Sequence, residues 1–232
     1  MKIDLKQLED ELNFHLDGRD TLIKQAFVHR SYVNEVLPEK IESNERLEFL
    51  GDVVLSLIVS VYIYKQFPSH KEGDLTNFRA SLVKTESLAQ AAKKIGLDKF
   101  ILLGHGENNI NGRSNHSILA DTFEAFLGAI YLEFGFEKAN DLVKKVLFPS
   151  LKKIINQKLY RDYKSVLQEI VQEEEKHAPA YNLIVSTGPD HDKTFTVGVY
   201  VNNKLIARGT GKNKQAAEQE AARAALEKYN IK

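Results

Sequence analysis

The chain has 232 residues, 43% hydrophobic and 28% charged, which suits one or two globular domains with a sizeable core. It contains no cysteine, and this excludes disulfides, a thiolate nucleophile and a cysteine-ligated zinc site. Its 32 basic and 32 acidic side chains cancel, so the net charge identifies no partner. No apolar signal region opens the sequence, and the longest apolar stretch, 53–63, is shorter than the about 20 residues that span a bilayer. We therefore expect a soluble cytoplasmic protein without a membrane partner.

The first two thirds of the sequence show helical periodicity and no alternating strand pattern. Pro68 ends the longest predicted helix, Gly135 interrupts a later one, and Pro149 predicts a bend in the last. A segment rich in glycine and asparagine, 103–115, predicts a loop. The predicted helices cover residues 21–27, 43 or 44 to 67, 72–83, 88–95, 117–134 and 137–155.

The periodicity changes after residue 156. Residues 181–186 and 195–201 alternate between apolar and other side chains, as strands do. Asn202 and Asn203 predict a tight turn into a third strand. Helices are predicted on both sides of the strands, at 162–175 and 213–229. The order helix, three strands, helix is typical of a small α+β domain.

These patterns predict a two-domain protein. An all-α domain covers residues 1–155, a short polar linker covers 156–161, and an α-β-β-β-α domain covers 162–232. We find no internal repeat and no low-complexity segment, so each domain is interpreted by itself.

Five carboxylates in the first domain have helical spacing. Glu45, Glu48 and Asp52 are three and four residues apart, which places them on one stripe of a helix. Asp121 and Glu124 have the same relation in a second, mostly apolar helix. If the two helices pack side by side, four of these groups can surround one ion, and oxygen ligands suit Mg²⁺ or Mn²⁺. The spacing alone leaves a solvated acidic face as the open alternative.

The residues around these carboxylates resemble a known family. Residues 44–52 resemble the signature motif of the ribonuclease III family, and three further segments resemble other blocks of that family in the same order. Those segments are 26–32, 72–75 together with 79–83, and 117–125. The resemblance implies a homodimeric, Mg²⁺-dependent endonuclease with no small-molecule cofactor, for which Mn²⁺ is a possible substitute. It also implies that both strands of double-stranded RNA are cut, leaving 5′-phosphates, 3′-hydroxyls and short 3′ overhangs.

The resemblance also implies roles for individual residues. It implies four metal-binding carboxylates: Glu48, Asp52, Asp121 and Glu124. Among them Asp52 and Glu124 are the predicted catalytic pair. Glu45 and Glu72 are expected to support the site. Phe49 is expected to pack into the partner subunit, with an ordinary core phenylalanine as the alternative. His29 invites a general-base role, but a structural or interfacial role beside Arg30 is favoured.

The second domain resembles a double-stranded RNA-binding domain in three segments, 163–169, 188–195 and 209–218. Such domains recognise the shape of the A-form duplex through 2′-hydroxyls and phosphates. The predicted RNA-binding residues lie on the first helix, in the loop between the first two strands and at the start of the last helix. They are Gln168, Gln172, His191, Lys212 and Lys214. Gln215 replaces a lysine usual in the family, and Asp190 and Asp192 make the loop acidic, so we expect weaker RNA binding.

The resemblance therefore implies an endonuclease that processes structured RNA, including ribosomal RNA precursors. A catalytically inactive double-stranded RNA-binding protein is the alternative, and the complete set of four carboxylates argues against it. A general helical scaffold with an acidic surface is disfavoured by the second domain.

Overall fold

A computed structural model describes residues 3, 5–12, 15, 21–35, 41–156, 162–189 and 192–228. The chain divides into two compact units, Met1–Tyr160 and Arg161–Lys232. Within the described residues the first unit is helical and the second has the order α-β-β-β-α, which confirms the predicted fold class. Residues 157–161 lie outside the described part, so the predicted linker at 156–161 and the predicted domain bounds stay predictions.

Nine α-helices form the described part of the first unit. They are α1 Leu5–Leu12, α2 Thr21–Gln25, α3 Arg30–Glu35, α4 Glu45–Gln66, α5 Glu72–Val83, α6 Thr85–Lys94, α7 His105–Asn109, α8 His116–Val146 and α9 Phe148–Asn156. Two 3₁₀ turns, Leu97–Lys99 and Gly112–Ser114, join them. Each predicted helix is present.

Two predictions in this unit were wrong in detail. The predicted loop at 103–115 holds the short helix α7 and a 3₁₀ turn, since elements this short leave no periodic pattern. The helix predicted at 137–155 ends at Val146, and α9 begins at Phe148. Pro149 therefore lies in the first turn of a new helix, where proline is tolerated, and does not bend an old one. Gly135 does interrupt α8, because its φ of 80° is not helical.

The core of the first unit is built on α4 and α8, which pack along each other. Leu55 of α4 and Phe123 and Phe126 of α8 are fully buried between them. Two glycines let the backbones approach closely. A Cβ on Gly51 would lie 1.8 Å from the carbonyl oxygen of Glu124, and one on Gly128 would lie 2.3 Å from that of Leu47. The crossing therefore requires glycine on both helices.

Among the described residues, α4 is long and apolar enough to cross a membrane by length and composition alone. The sequence argument compared only the apolar stretch 53–63 with the length that spans a bilayer. That comparison was too narrow, because the helix continues on both sides of the stretch. Core helices of soluble proteins pass the same test. Because α4 carries charged residues in its first two turns and packs lengthwise on α8, we interpret it as a core helix.

The second unit packs two helices on one face of an antiparallel sheet. Helices α10 Tyr163–Glu175 and α11 Lys214–Lys228 cover strands in the order β1 Ala180–Thr187, β2 Thr194–Val201 and β3 Lys204–Gly211. Buried side chains from both layers form the core: Leu167, Val171, Val199, Ala207, Ala221 and Ala225. Residue Tyr229, predicted to end the last helix, lies outside the described residues.

The two hairpins of this sheet differ in regularity. Asn202 and Asn203 have φ values of 49° and 62°, which confirms the tight turn between β2 and β3. In β1 the pairing register shifts between Leu183 and Val185. The extra residue of this bulge breaks the predicted alternation, so that Leu183, Ile184 and Val185 are all exposed.

Candidate active site

Three carboxylates meet where α4 crosses α8. One oxygen each of Glu48, Asp121 and Glu124 lies within 4.8 Å of the others, and all three residues are half-buried. Glu48 comes from the first turn of α4, and the other two are almost one turn apart on α8. The close crossing at Gly51 brings the two helices together at this point. The structure therefore assembles three of the four predicted ligands.

The electrostatics of this group fit a divalent cation. Burial, together with the charges of Asp52, Asp121 and Glu48, raises the pKa of Glu124 to about 8. The pKa of Glu48 is also raised, mainly by burial and next by the negative charge of Asp121. Burial is also the main cause that raises the pKa of Asp121. Partly desolvated carboxylates that repel one another hold protons unless a cation offsets their charge, and an all-oxygen donor set suits a hard ion.

Asp52 lies at the exposed edge of the group. It follows Glu48 by one helical turn on α4, and it is exposed to solvent. It is not one of the three groups within 4.8 Å, but after burial its charge is the largest influence on the pKa of Glu124. Asp52 is therefore close enough to act electrostatically on the cluster while remaining open to solvent.

The two supporting acids have different positions. Glu45 lines a cleft of about 500 Å³ that also contains Glu48 and Asp121, and its Oε1 lies 3.9 Å from Nη1 of Arg30. Glu72 begins α5, is exposed, and accepts a hydrogen bond from Oγ1 of Thr76 at 3.0 Å. Within the described chain Glu72 is not among the residues that line this cleft. We call the space the carboxylate cleft.

The predicted RNA-binding residues lie on the surface of the second unit. Gln168 and Gln172 are exposed one turn apart on α10. Lys212 and Lys214 are exposed beside the start of α11, where the Asn213 side chain accepts a hydrogen bond from the Ala216 amide at 2.8 Å. His191 and its neighbour Asp190 lie outside the described residues.

One of these lysines already has an acidic partner. Nζ of Lys212 lies 2.6 Å from Oδ1 of Asp192, and both side chains are more than 60% exposed. The acidic loop noted in the sequence therefore contacts a predicted RNA-binding cation directly.

Comparison with known proteins agrees with both units. Residues 19–151 match the family described as Ribonuclease-III-like, and residues 163–229 match the double-stranded RNA binding motif. Ribonuclease 3 of Natranaerobius thermophilus is 42% identical over 227 residues, 98% of this chain and 97% of that protein. Ribonuclease 3 of Carboxydothermus hydrogenoformans is 45% identical over 226 residues, 97% of this chain and 96% of that protein.

This chain belongs to the ribonuclease III family. It is accordingly an endonuclease of the ribonuclease III class that carries a double-stranded RNA-binding motif. Among solved structures it is similar to the nuclease domain of ribonuclease III from Campylobacter jejuni, with a TM-score of 0.57 and 40% identity. That match covers 63% of this chain and 99% of the other, which is described as flexible in a region involved in dimer formation.

This ribonuclease III has an apolar strip on α4. Its side chains recur every three or four residues along one helix face and are 39% to 77% exposed: Phe49, Val53, Leu57, Val61 and Tyr64. Phe49 is the most exposed of them, so it is not a core residue within its own chain. A hollow of about 580 Å³, lined in part by Leu22, Leu50 and Leu132, lies beside Phe49.

Sequence reasoning assigned no role to several residues of this candidate site. Asn34 and Glu107 line the carboxylate cleft outside every segment that resembles a block of the family, and Ser117, which was assigned no role, lines it as the first residue of segment 117–125. Asn115 also lines it, and its side chain accepts a hydrogen bond from the Ser117 amide at 2.8 Å. This cap starts the helix that carries Asp121, and an asparagine just before an apolar helix was a readable signal.

Proposed function

We propose that this protein is a Mg²⁺-dependent endoribonuclease that cuts both strands of double-stranded RNA. In this proposal the products carry 5′-phosphates and 3′-hydroxyls with short 3′ overhangs. The observation that carries it is the group of three carboxylates within 4.8 Å, in a chain whose other unit matches a double-stranded RNA binding motif.

In the proposed site Glu48, Asp121 and Glu124 hold the ion. When bound there, Mg²⁺, or Mn²⁺ in its place, would supply an activated water and would offset negative charge on the phosphate. Asp52 is proposed as the fourth ligand. Asp52 and Glu124 are also proposed as the catalytic pair, so that losing either side chain abolishes cleavage. Its exposure at the edge of the cluster and its influence on Glu124 support that role.

The proposed enzyme is a homodimer in which each subunit cuts one strand. The apolar strip supports this, because monomeric proteins rarely expose a continuous apolar patch along a whole helix. Phe49 is proposed to insert into the hollow beside the same residue of the second copy. The Campylobacter jejuni nuclease domain, described as having a region involved in dimer formation, supports the same assembly. Glu72 is proposed to line the catalytic valley of that dimer.

The second unit is proposed to hold the duplex by its shape. Gln168, Gln172 and His191 are assigned to the minor grooves, and Lys212 and Lys214 to phosphates, which are also favoured at a helix N-terminus. The proposed physiological role is the processing of ribosomal RNA precursors and other structured RNAs in the cytoplasm.

One experiment tests the proposed activity. The wild-type protein and Glu124→Gln are incubated with a long RNA duplex in Mg²⁺, in Ca²⁺ and without metal, and both cutting and binding are measured. We expect cutting in Mg²⁺ by the wild type alone and binding by both proteins. If the wild type binds duplex without cutting it under every metal condition, the protein is an inactive RNA-binding module and the proposal is wrong.

A further inference from the structure

His29 contacts the carboxylate cleft but has no role in the proposed chemistry. It lies between α2 and α3, and its half-buried ring lines the cleft together with Glu48 and Asp121. Two groups of Ser31 meet one nitrogen of this ring. The Ser31 amide donates to Nδ1 at 3.2 Å, and Oγ of Ser31 lies 2.8 Å from the same atom.

These contacts determine which ring nitrogen carries the proton. A backbone N–H can only donate, so Nδ1 of His29 accepts and carries no proton. Oγ of Ser31 accepts from the Gly104 amide at 3.0 Å, which leaves its own hydrogen to point at Nδ1. The imidazole is therefore neutral, with its proton on Nε2.

The Ser31 anchor is rigid because the chain is tightly packed around it. A Cβ on Gly104 would lie 2.7 Å from the carbonyl oxygen of Ser31 and 2.6 Å from Oε1 of Glu35. Oε2 of Glu35 also accepts a hydrogen bond from the His105 amide at 2.7 Å. The segment before α7 is thereby held against Ser31, and the His29 ring is held by its Nδ1 edge.

The opposite edge of the ring is available to a ligand. Within the described part of the chain the hydrogen bonds of the His29 ring go to Ser31 alone, all through Nδ1. A neutral N–H donor beside Asp121 and Glu48 does not form an ion pair with either carboxylate, so it leaves their charge for a cation. The acceptors on an RNA backbone are phosphate oxygens and 2′-hydroxyls, which a neutral N–H can meet.

We propose that His29 is a positioning residue for cleavage: its Nε2–H donates a hydrogen bond to the RNA backbone inside the carboxylate cleft. Ser31 and Gly104 hold the ring in the tautomer that makes this possible. The role differs from general-base catalysis, since the nitrogen that faces the ligand carries a proton and has no lone pair to accept one. This inference rests on the proposed nuclease activity.

Two substitutions separate this role from a structural one. The amide of asparagine overlaps the Nδ1 edge of histidine, so His29→Asn keeps an acceptor for Ser31 but has no donor at the Nε2 position. The amide of glutamine overlaps the Nε2 edge, so His29→Gln keeps the donor and loses the acceptor. We expect about a tenfold lower single-turnover cleavage rate for His29→Asn, the size of one hydrogen bond, and a rate near that of the wild type for His29→Gln.

The thermal stability of the two variants should run in the opposite order, with His29→Asn the more stable. A wild-type rate for His29→Asn, or rates that follow the melting temperatures, would overturn the inference. Nitrogen-15 NMR of the metal-free wild type tests the tautomer without any substitution, and a proton on Nδ1 would equally overturn it. If the wild type itself fails to cut in Mg²⁺, the proposed function fails instead.

Discussion

Among the clustered carboxylates, Glu124 is the one whose pKa is raised most strongly. Its pKa rises from 4.5 to about 8, because it is buried among Asp52, Asp121 and Glu48. Between those two values the folded protein binds more protons than the unfolded chain. The free energy of unfolding of the metal-free protein therefore falls as pH rises from about 4.5 to about 8. A bound cation favours the ionised form, so metal affinity rises over the same range.

Glu124→Gln should stabilise the metal-free protein at pH 8, because it removes a buried charge that its neighbours repel. We expect the melting temperature of the wild type in EDTA to fall between pH 6 and pH 8, and that of the variant to fall less. Glu72→Gln, which changes an exposed carboxylate outside the cleft, is the matched control and should follow the wild type. An equal decline in all three proteins would contradict this explanation.

Asp192→Asn should strengthen duplex binding. Asp192 holds Lys212 at 2.6 Å, and breaking an exposed pair of this kind costs up to about 1 kcal/mol, or about fivefold in affinity. Freeing Lys212 for phosphate should also steepen the dependence of binding on salt by about one counterion. Filter-binding titrations at several salt concentrations measure both quantities. An affinity that does not change would show that this pair does not compete with RNA.

Lys214→Ala should weaken duplex binding for all sequences alike and flatten its salt dependence, because a phosphate contact carries no sequence information. The same titration on two duplexes of unrelated sequence tests this. An unchanged salt slope would remove Lys214 from the phosphate contacts.

At the scale of elements, the crossing of α4 and α8 determines the site. The helices touch where Gly51 faces the backbone of Glu124, so one close contact both packs the core and sets the distance between Glu48 and Glu124. The atoms that a Cβ on Gly51 would meet belong to the backbone of α8, which cannot move aside as the end of a flexible side chain can. A side chain at this contact would therefore force the helices apart and change the spacing of the carboxylates.

Gly128→Ala should destabilise the first unit by about 1–3 kcal/mol or more, since overpacking a tight core forces backbone shifts. Its Cβ would lie 2.3 Å from the carbonyl oxygen of Leu47. Gly73→Ala, in α5, is the control, because a Cβ there meets nothing within 4 Å and the change is neutral or stabilising in a helix. Urea unfolding of both variants measures the difference, and equal stability would contradict the close crossing.

At the scale of the whole molecule, the apolar strip is the proposed dimer interface. Phe49→Asp should yield a monomer of 26.3 kDa in light scattering, where the wild type has about twice that mass. The reason is that burying a carboxylate in place of an aromatic ring is costly, and Glu42 and Glu45, which line the same hollow, would repel it. Ile110→Asp, which changes a 74% exposed apolar residue on the C-terminal side of α7, is the matched control and should remain dimeric. A dimeric Phe49→Asp protein would exclude this face as the interface.

The sequence by itself predicted much of this protein. The switch from a helical to an alternating period identified the all-α and α+β units, because periodicity reports which face of an element is buried. The spacing of Glu48, Asp52, Asp121 and Glu124 allowed either a shared metal site or a solvated acidic face, and the resemblance to the ribonuclease III family favoured the shared site. The short helix α7 and the bulge in β1 were not predicted, since each depends on a few residues and their neighbours in space.

Only the tertiary structure decided the rest. It separated the exposed Asp52 from the three clustered carboxylates, and it turned Phe49 from a possible core residue into an exposed one. It also gave His29 a defined tautomer through Ser31. The physical reason is common to all three: sequence spacing determines the face of an element on which a residue lies, whereas exposure, like-charge repulsion and hydrogen-bond direction depend on what packs against that face.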